Sequence, residues 1–340
     1  MDHIAIDLGG RESQICVRAD DGTILEEKRC ATRSVGNYLK RLAKGRVIVE
    51  TCAEAFSVAD EALALGHEVR VVPASLAPAL GIGERSTKTD VRDARKLSEL
   101  STRIDLPSVH VPSTSSRERK ALCAARDSLV QARTQMINHV RGALRTLRVR
   151  IATGKAETFV WRARTSAERL PSHLEPILVT LDALNAQLAI LDAQLESIST
   201  SDPICRRLMT VPGVGPVTAI RFVATLDVHE RFESAHKVQA YLGLTPGEDS
   251  SSDRKRRTSI TKAGPAAMRW TLLQAAWAAR RSKGTHPMLQ WVAGIEHRRG
   301  KRVAAVALAR KLAGILWAIW RDGSTYHPGR ASAVSRTMSE

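Results

Sequence analysis

Cysteines and aromatic residues are few in this 340-residue chain, and their spacing marks no recognisable site. Without a CxxC motif or a Cys/His cluster, neither a zinc site nor a disulfide framework is predicted. We expect the cysteines to be ordinary buried thiols in a reducing compartment. Aromatic residues make up 4% of the chain, which argues against recognition of nucleic acid by extensive base stacking. The five cysteines are Cys16, Cys30, Cys52, Cys123 and Cys205.

A secretory signal peptide and an uninterrupted apolar run of membrane length are also not recognised in the sequence. The longest apolar run, residues 303–320, is interrupted by Arg310 and Lys311, so we interpret it as a core helix. The expectation is a soluble protein of the cytoplasm without a membrane partner.

Acidic residues become rare towards the C-terminus. Residues 1–100 hold 15 Lys/Arg against 16 Asp/Glu, a net charge of −1, and residues 101–200 hold 14 against 9, a net of +5. Residues 201–340 hold 23 against 10, a net of +13, within a total of +17. This distribution predicts a nearly neutral catalytic part joined to a part that binds polyanions, although a generally basic protein is the alternative.

The order of apolar runs and turns predicts an α/β N-terminal domain over residues 1–112. Three strands come first, joined by a GGRES turn and a DDG hairpin signal, and alternating helices and strands follow. This is the order of the RNase H-like (RuvC-like) fold. Predicted strands cover residues 4–7, 14–19, 23–31, 46–50 and 67–73, and predicted helices cover 35–42 and 53–65, the latter ended by Gly66.

Residues 113–202 are predicted to form a helical coiled-coil linker. A first helix begins at Ser113 and runs to about Arg150, and leucines of a second helix alternate by three and four between Leu174 and Ile198. An intramolecular helical hairpin is the alternative, but the length of the seam leads us to favour contacts between subunits of a dimer or tetramer.

A mainly α, basic domain is predicted for residues 203–325, followed by a polar tail over 326–340. Residues 203–226 have the pattern of a helix, a glycine-rich turn and a second helix. Gly213 and Gly215 would let backbone N–H groups approach a phosphate at the N-terminus of the second helix.

Four acidic residues carry most of the functional information. Asp7 and Glu50 close predicted strands, and Asp90 and Asp93 share one face of a predicted helix. Singly, each has a structural alternative: turn chemistry or an actin-like phosphate turn for Asp7, an arginine pair for Glu50, and helix capping for the aspartates. Jointly, the fold order predicts that they converge. Oxygen ligands of this kind fit Mg²⁺, or Mn²⁺ as an alternative, in two-metal phosphoryl transfer.

A serine run precedes a cluster of cations in the C-terminal part. A solvated basic loop is one interpretation, and a serine nucleophile beside cations that stabilise an attacked phosphate is the other. The serines are Ser250, Ser251 and Ser252, and the cations predicted to contact nucleic acid are Arg254, Lys255, Arg256, Arg257 and Lys262.

Several motifs in order make the chain resemble the DEDD transposases of bacterial insertion sequences, the insertion sequence one-hundred-ten family. AIDLGG, VIVET and KTDVRDARKL resemble its RuvC-like domain. VPGVGPVTA, YLGLTP, the serine run, ITKAGPAAMRW and VALARKLAGILWAIWRDG resemble its C-terminal transposase domain.

The resemblance implies a recombinase that cuts and rejoins DNA through a metal-bound tetrad and a covalent serine–DNA link. By position, the tetrad is Asp7, Glu50, Asp90 and Asp93. Ser251 is the first choice as nucleophile, with Ser250 and Ser252 open, because Ser252 stands where the family pattern has glycine. The resemblance also implies donor and target DNA as substrates, a structured guide RNA, and tetramers with composite sites.

Three other functions stay open on sequence alone. A RuvC-like nuclease such as a junction resolvase would need the carboxylates but no serine. An actin-fold kinase or ATPase would use the DLGG turn for phosphate, although no second phosphate-binding glycine turn is recognised. A non-catalytic DNA-binding protein with a decayed nuclease core would need neither.

Overall fold

The computed structural model describes residues 1–76, 78, 90–166, 170–251, 254–281 and 287–328, with backbone only for 249–251 and 254–257. The chain divides into two compact units, Met1–Pro112 and Ser113–Glu340. Each unit has its own buried core.

The first unit is built on a five-stranded mixed sheet. The central strand β1 and its neighbour β4 carry Ile and Val at their buried positions and are fully buried along most of their length. The strand order is β3-β2-β1-β4-β5, with the first three strands antiparallel and β1, β4 and β5 parallel. The predicted α/β architecture is confirmed. The strands are β1 (His3–Leu8), β2 (Glu12–Arg18), β3 (Ile24–Ala31), β4 (Arg46–Glu50) and β5 (Glu68–Val72).

Three helices cover the two faces of this sheet: α1 (Val35–Leu39), α2 (Ala55–Ala64) and α3 (Asp90–Arg103). Alternate strand residues point to opposite faces. Ile4 and Ile6 pack with α1 and α2, whereas Ala5 packs with Leu97 of α3. The side of the sheet that faces α3 is therefore fixed by sequence alternation.

The second unit is mainly helical, as predicted. Ser113 caps its first helix by accepting a hydrogen bond from the Ser116 N–H at 3.2 Å. The final helix, α11, is broken at Gly300, where φ is +81°. The helices are α4 (Thr114–Thr146), α5 (Phe159–Thr165), α6 (Glu175–Ser201), α7 (Pro203–Leu208), α8 (Pro216–Leu226), α9 (Ala235–Tyr241), α10 (Ala266–Arg281) and α11 (Pro287–Asp322); the strands are β6 (Pro246–Ser251) and β7 (Arg254–Ile260).

The leucine seam of α6 packs inside the chain against α4. Leu178 and Leu181 share a core with Val140 and Leu144 of α4, and the Arg126 side chain pairs with Asp192. Our interpretation of this seam as a subunit contact is therefore wrong, and the intramolecular hairpin is the arrangement found. The reason is that α4 has an apolar face that lies alongside the leucine seam of α6. The spacing of leucines within α6 does not reveal this partner.

A buried arginine on α8 joins three helices at the base of this hairpin. The Arg221 guanidinium lies 2.8 Å from the Asp127 carboxylate of α4. It donates to Thr271 Oγ1 of α10 at 2.7 Å and to the Cys123 carbonyl of α4 at 3.2 Å. Because Arg221 is buried, these contacts fix the mutual positions of α4, α8 and α10.

The cysteines are only partly as expected. Cys16, Cys123 and Cys205 are buried, and burial raises the pKa of Cys205 to about 12. Cys52, however, is exposed. It lies two residues after Glu50, in the irregular segment that follows β4.

Gly213, whose backbone N–H is predicted to approach a phosphate, packs against α10. Its φ is +83°, and a Cβ built there would lie 2.3 Å from the Ala275 carbonyl oxygen and 2.6 Å from the Ala279 nitrogen. Glycine is thus required by helix packing at this position. Gly215 differs, since a Cβ there would meet nothing within 4 Å.

We expect Gly213→Ala to lower the free energy of unfolding by about 3 kcal/mol, from the left-handed backbone and the clash together. Gly215→Ala, a matched control two residues away, is expected to change it by less than about 1 kcal/mol. Urea denaturation of both variants measures the difference. Equal stabilities would contradict the packing role.

Candidate catalytic site

Two of the predicted acidic residues lie side by side on the central strands. β1 and β4 are parallel, and Ile6 pairs with Val49, so the next residues, Asp7 and Glu50, are neighbours in register at the carboxyl ends of both strands. Both follow the alternation that points Ala5 and Ile48 towards α3. Their carboxylates therefore share the face of the sheet that α3 covers.

α3 runs antiparallel to β1 and brings Asp93 to the same end of the sheet. His3 Nδ1 lies 2.7 Å from Ser101 Oγ, which anchors the far end of the helix at the start of β1. From His3 to Asp7 the strand rises by about 13 Å. From Ser101 back to Asp93 the helix rises by about 12 Å. Asp93 is 7% exposed and thus faces the sheet near the level of Asp7.

Asp90 occupies the first residue of α3 and is exposed. It lies one turn from Asp93 but does not share its burial. Among the residues that the structure describes, no three His, Cys, Asp or Glu side chains are grouped closely enough to hold a metal ion. Residues 79–89, which precede Asp90, lie outside the described part of the chain. The complete tetrad therefore stays a prediction.

Asp7 lies between a tight glycine turn and a buried amide side chain. Gly9 is required by a tight turn, because a Cβ there would lie 2.4 Å from the Glu12 carbonyl oxygen. Gln14 is paired with Asp7 across β1 and β2, and this amide side chain is buried. Sequence reasoning missed Gln14, although a glutamine within the apolar strand ESQICVR is a signal that could have identified it.

The chemistry of this donor set fits a hard divalent cation. Asp7 and Glu50 are neighbouring carboxylates on β1 and β4, and oxygen-binding Mg²⁺ or Mn²⁺ is the species that offsets repulsion between carboxylates. The residues predicted to hold the ion are Asp7, Glu50, Asp90 and Asp93, and of these the strand register brings Asp7 and Glu50 together.

The predicted serine loop is a β-hairpin. In β6 and β7, Ser251 pairs with Arg254 and Ser250 with Lys255, and Arg256 and Arg257 follow in β7. Ser252 and Asp253 lie outside the described residues. The hairpin places Ser250 and Ser251 at its outer end, next to the strand that carries four of the predicted cations.

Lys262 directly follows this hairpin and has an unusual backbone. Its φ is +57°, and its N–H donates to the Gly243 carbonyl at 3.1 Å. The side chain is exposed. A left-handed lysine is sparsely populated and marks a backbone held by its surroundings.

A groove of about 1550 Å³ runs along α11 and reaches the base of the hairpin at Pro246 and Thr258. Its floor is aliphatic and its rim is basic. Lys311 Nζ lies 4.3 Å from the centre of the Trp291 ring, and burial lowers the pKa of this lysine. The basic lining residues are Arg299, Arg302, Arg310, Lys311 and Arg321.

Comparison with protein families gives two matches in separate parts of the chain. Residues 4–149 match a family model described as a transposase, of the DEDD type named after IS110. Residues 205–289 match the model described as the transposase IS116/IS110/IS902 family. The two matches cover the sheet with its acidic residues and the hairpin with its serines.

Three relatives are similar over most of their length. A probable family 20 transposase of Pseudomonas aeruginosa is 31% identical over 307 residues, covering 87% of this chain and 89% of the relative. The transposase for insertion sequence element IS1111A of Coxiella burnetii is 27% identical, covering 96% and 91%. The transposase for insertion sequence element IS1328 of Yersinia enterocolitica is 28% identical, covering 95% and 98%.

Proposed function

Because the chain belongs to the IS110 family of DEDD transposases, enzymes that cut and rejoin DNA, we propose that it recombines an insertion sequence through four carboxylates and a serine. The family implies a DNA substrate, an RNase H-like first unit and the use of a divalent metal ion. The choice of residues, the guide RNA and the assembly are our proposals.

The acidic site is proposed to be Asp7, Glu50, Asp90 and Asp93. The observation that carries this proposal is the register of β1 and β4, which sets Asp7 beside Glu50 on the face covered by α3. A bound Mg²⁺ would activate the attacking oxygen and stabilise the leaving oxygen of a phosphodiester. The protein's own part is to hold the carboxylates on two rigid strands and one buried helix face.

The serine step is proposed to use Ser251. Its Oγ displaces the 3′ oxygen of the scissile phosphate, which leaves as a hydroxyl after taking the serine proton, and a serine–phosphate ester remains. A 3′ hydroxyl of the partner strand then displaces the serine and restores a phosphodiester. The cations Arg254, Lys255, Arg256, Arg257 and Lys262 follow Ser251 within the next eleven residues and would stabilise the charge on the phosphate.

A structured RNA encoded by the element is proposed to choose the sequences that are joined. Base pairing would then supply specificity, while the protein binds backbone charge and shape. The +13 net charge of residues 201–340 supports such a role. The same charge supports a location on the nucleoid in the cytoplasm.

A purified-protein reaction tests the whole proposal. Donor and target DNA are incubated with the protein, Mg²⁺ and the RNA that copurifies with it, and joined strands are sequenced. Omission of Mg²⁺ is the control. Failure to form joined product in the complete mixture would contradict recombination by this chain.

Assembly into a homo-oligomer, a dimer or tetramer, is supported by a second apolar stripe on α6. This stripe lies opposite the seam that packs on α4, and Val179 and Ile190 within it are 56% and 51% exposed. Its spacing alternates by four and three, as at a helix–helix contact. The stripe is Val179, Ala183, Ala186, Ile190 and Ala193, all exposed.

We expect Ile190→Glu to lower the molar mass of the protein in solution by half or more, because a charge at an apolar contact is costly to bury. Light scattering after size exclusion gives the mass. Thr180→Glu adds the same charge to the same helix about 100° away and should leave the mass unchanged. An unchanged mass for both variants would contradict assembly through this stripe.

A further inference from the structure

The far end of the α4–α6 hairpin, residues 141–166, is a small folded body that we call the helical tip. Phe159 and Val160 of α5 pack with Ile151 on Leu144 of α4. The buried Arg162 donates to the carbonyl oxygens of Ala152 and Lys155, which ties the intervening loop to α5. The tip is therefore a folded surface whose core it shares with α6.

The charge of the helical tip is almost entirely positive. It contains seven Lys/Arg and one acidic residue, Glu157, which pairs with Arg133 of α4 at 3.0 Å. Arg164 pairs with Glu175 and Asp182 of α6. Three exposed cations have no acidic partner among the residues that the structure describes: Arg145, Arg148 and Arg150. Lys155 is also exposed and interacts electrostatically with Glu157.

A large aromatic side chain is exposed on the same body. Trp161 is 68% exposed, although its neighbours Phe159 and Val160 are buried in the core of the tip. Leu147, at the end of α4, is also mostly exposed. An exposed indole among cations can stack on a nucleic-acid base, whereas a surface that contacts only water gains nothing from a large aromatic ring.

Arg148 occupies a backbone position where glycine is usual. Its φ is +61°. The N–H groups of Arg148 and Val149 donate to the carbonyls of Arg145 and Leu144, the bond pattern that ends helices with a left-handed residue. An arginine here is held at a cost in stability that glycine would avoid. This cost in stability suggests that the guanidinium of Arg148 has a function in binding.

We propose that the helical tip binds a nucleic-acid segment with an unpaired base. The indole of Trp161 stacks on the base, and Arg145, Arg148, Arg150 and Lys155 contact the flanking phosphates. An RNA loop and a displaced DNA strand share this chemistry, whereas a closed duplex presents no free base face. The inference rests on the proposed function only in taking nucleic acid as the ligand.

Binding of labelled oligonucleotides to the full chain in EDTA tests the proposal without any strand transfer. The probes are an RNA hairpin with an unpaired loop, single-stranded DNA and blunt duplex DNA. Trp161→Ala should weaken binding of a probe with unpaired bases by about tenfold, the effect of one lost stack, and leave the duplex unchanged. Trp161→Tyr should restore binding. A loss confined to the RNA hairpin identifies RNA as the ligand, and a loss confined to single-stranded DNA identifies DNA.

Arg148→Gly separates the effect on nucleic-acid binding from the effect on folding, because we expect it to raise stability and to lower affinity. The melting temperature should rise, while affinity falls and the salt dependence of binding weakens by about 0.7 in slope for one lost phosphate contact. Trp270→Ala is the matched control, since Trp270 of α10 is also largely exposed. We expect it to bind like the parent.

Three results would overturn the proposal. The first is unchanged binding of every probe by Trp161→Ala and Arg148→Gly. In the second, Trp161→Ala changes the molar mass and not the binding, so the tip is a protein contact. In the third, the same variant loses binding to phosphatidylserine vesicles and keeps oligonucleotide binding. Because the binding assay contains EDTA and no metal, it measures binding without strand transfer. Its result therefore stays interpretable even if the protein does not recombine DNA.

Discussion

Replacing Asp7 by asparagine is expected to lower the rate of DNA cleavage by about a thousandfold or more, as for loss of a group that stabilises transition-state charge. The substitution keeps the size of the side chain and removes the charge needed to hold a divalent cation. Asp7 ends a buried central strand, so its position should survive the change. Single-turnover cleavage of a labelled element end in Mg²⁺ gives the rate.

Asp105→Asn is the matched control for this experiment. Asp105 belongs to the same unit, is exposed and pairs with Arg70, just past the end of α3 opposite Asp93. We expect normal cleavage from it. DNA binding and melting temperature of both variants should match the parent. If Asp7→Asn cleaves within a few-fold of the parent rate, the carboxylate site is wrong and the metal proposal fails with it.

Ser251→Ala is expected to remove the covalent protein–DNA adduct completely. Alanine lacks the oxygen that would form the ester. The adduct is trapped with a strand labelled on the 3′ side of the scissile phosphate, whose 5′ side is a short fragment that dissociates with its 3′ hydroxyl after cleavage. Denaturing electrophoresis then measures the labelled protein.

The neighbouring serines provide the control. Ser250→Ala and Ser252→Ala should each retain an adduct, although Ser250 lies beside Ser251 in β6. Loss in Ser252→Ala alone would transfer the role to Ser252. Cleavage without any adduct in the parent would favour a structure-specific nuclease, which needs only the carboxylates.

The sheet and its acidic edge were predictable because their signals are local. β-branched runs define β1 and β4, the DDG turn defines the hairpin, and strand alternation decides which face Asp7 takes. Asp93 required only the helix period of KTDVRDARKL. How closely Asp90 approaches the other three depends on the chain before α3, and no periodic pattern encodes it.

Features that depend on distant partners were not predictable in the same way. β6 and β7 lack the alternation of apolar and polar residues that signals a strand, so a hairpin of serines and arginines was interpreted as a loop. The seam of α6 could not reveal that α4 fills it. Gly213 lies in a glycine-rich turn whose reason is the backbone of α10, sixty residues further along the chain.

The polar junction at Arg221 has a mechanical consequence. With its 33 residues, α4 extends about 50 Å at the usual helical rise. Since Arg221 clamps the near part of this rod to α8 and α10, the rod cannot pivot there without exposing a buried charge. A force applied to the end of α4 that is distant from Arg221 is therefore transmitted to α8 and α10.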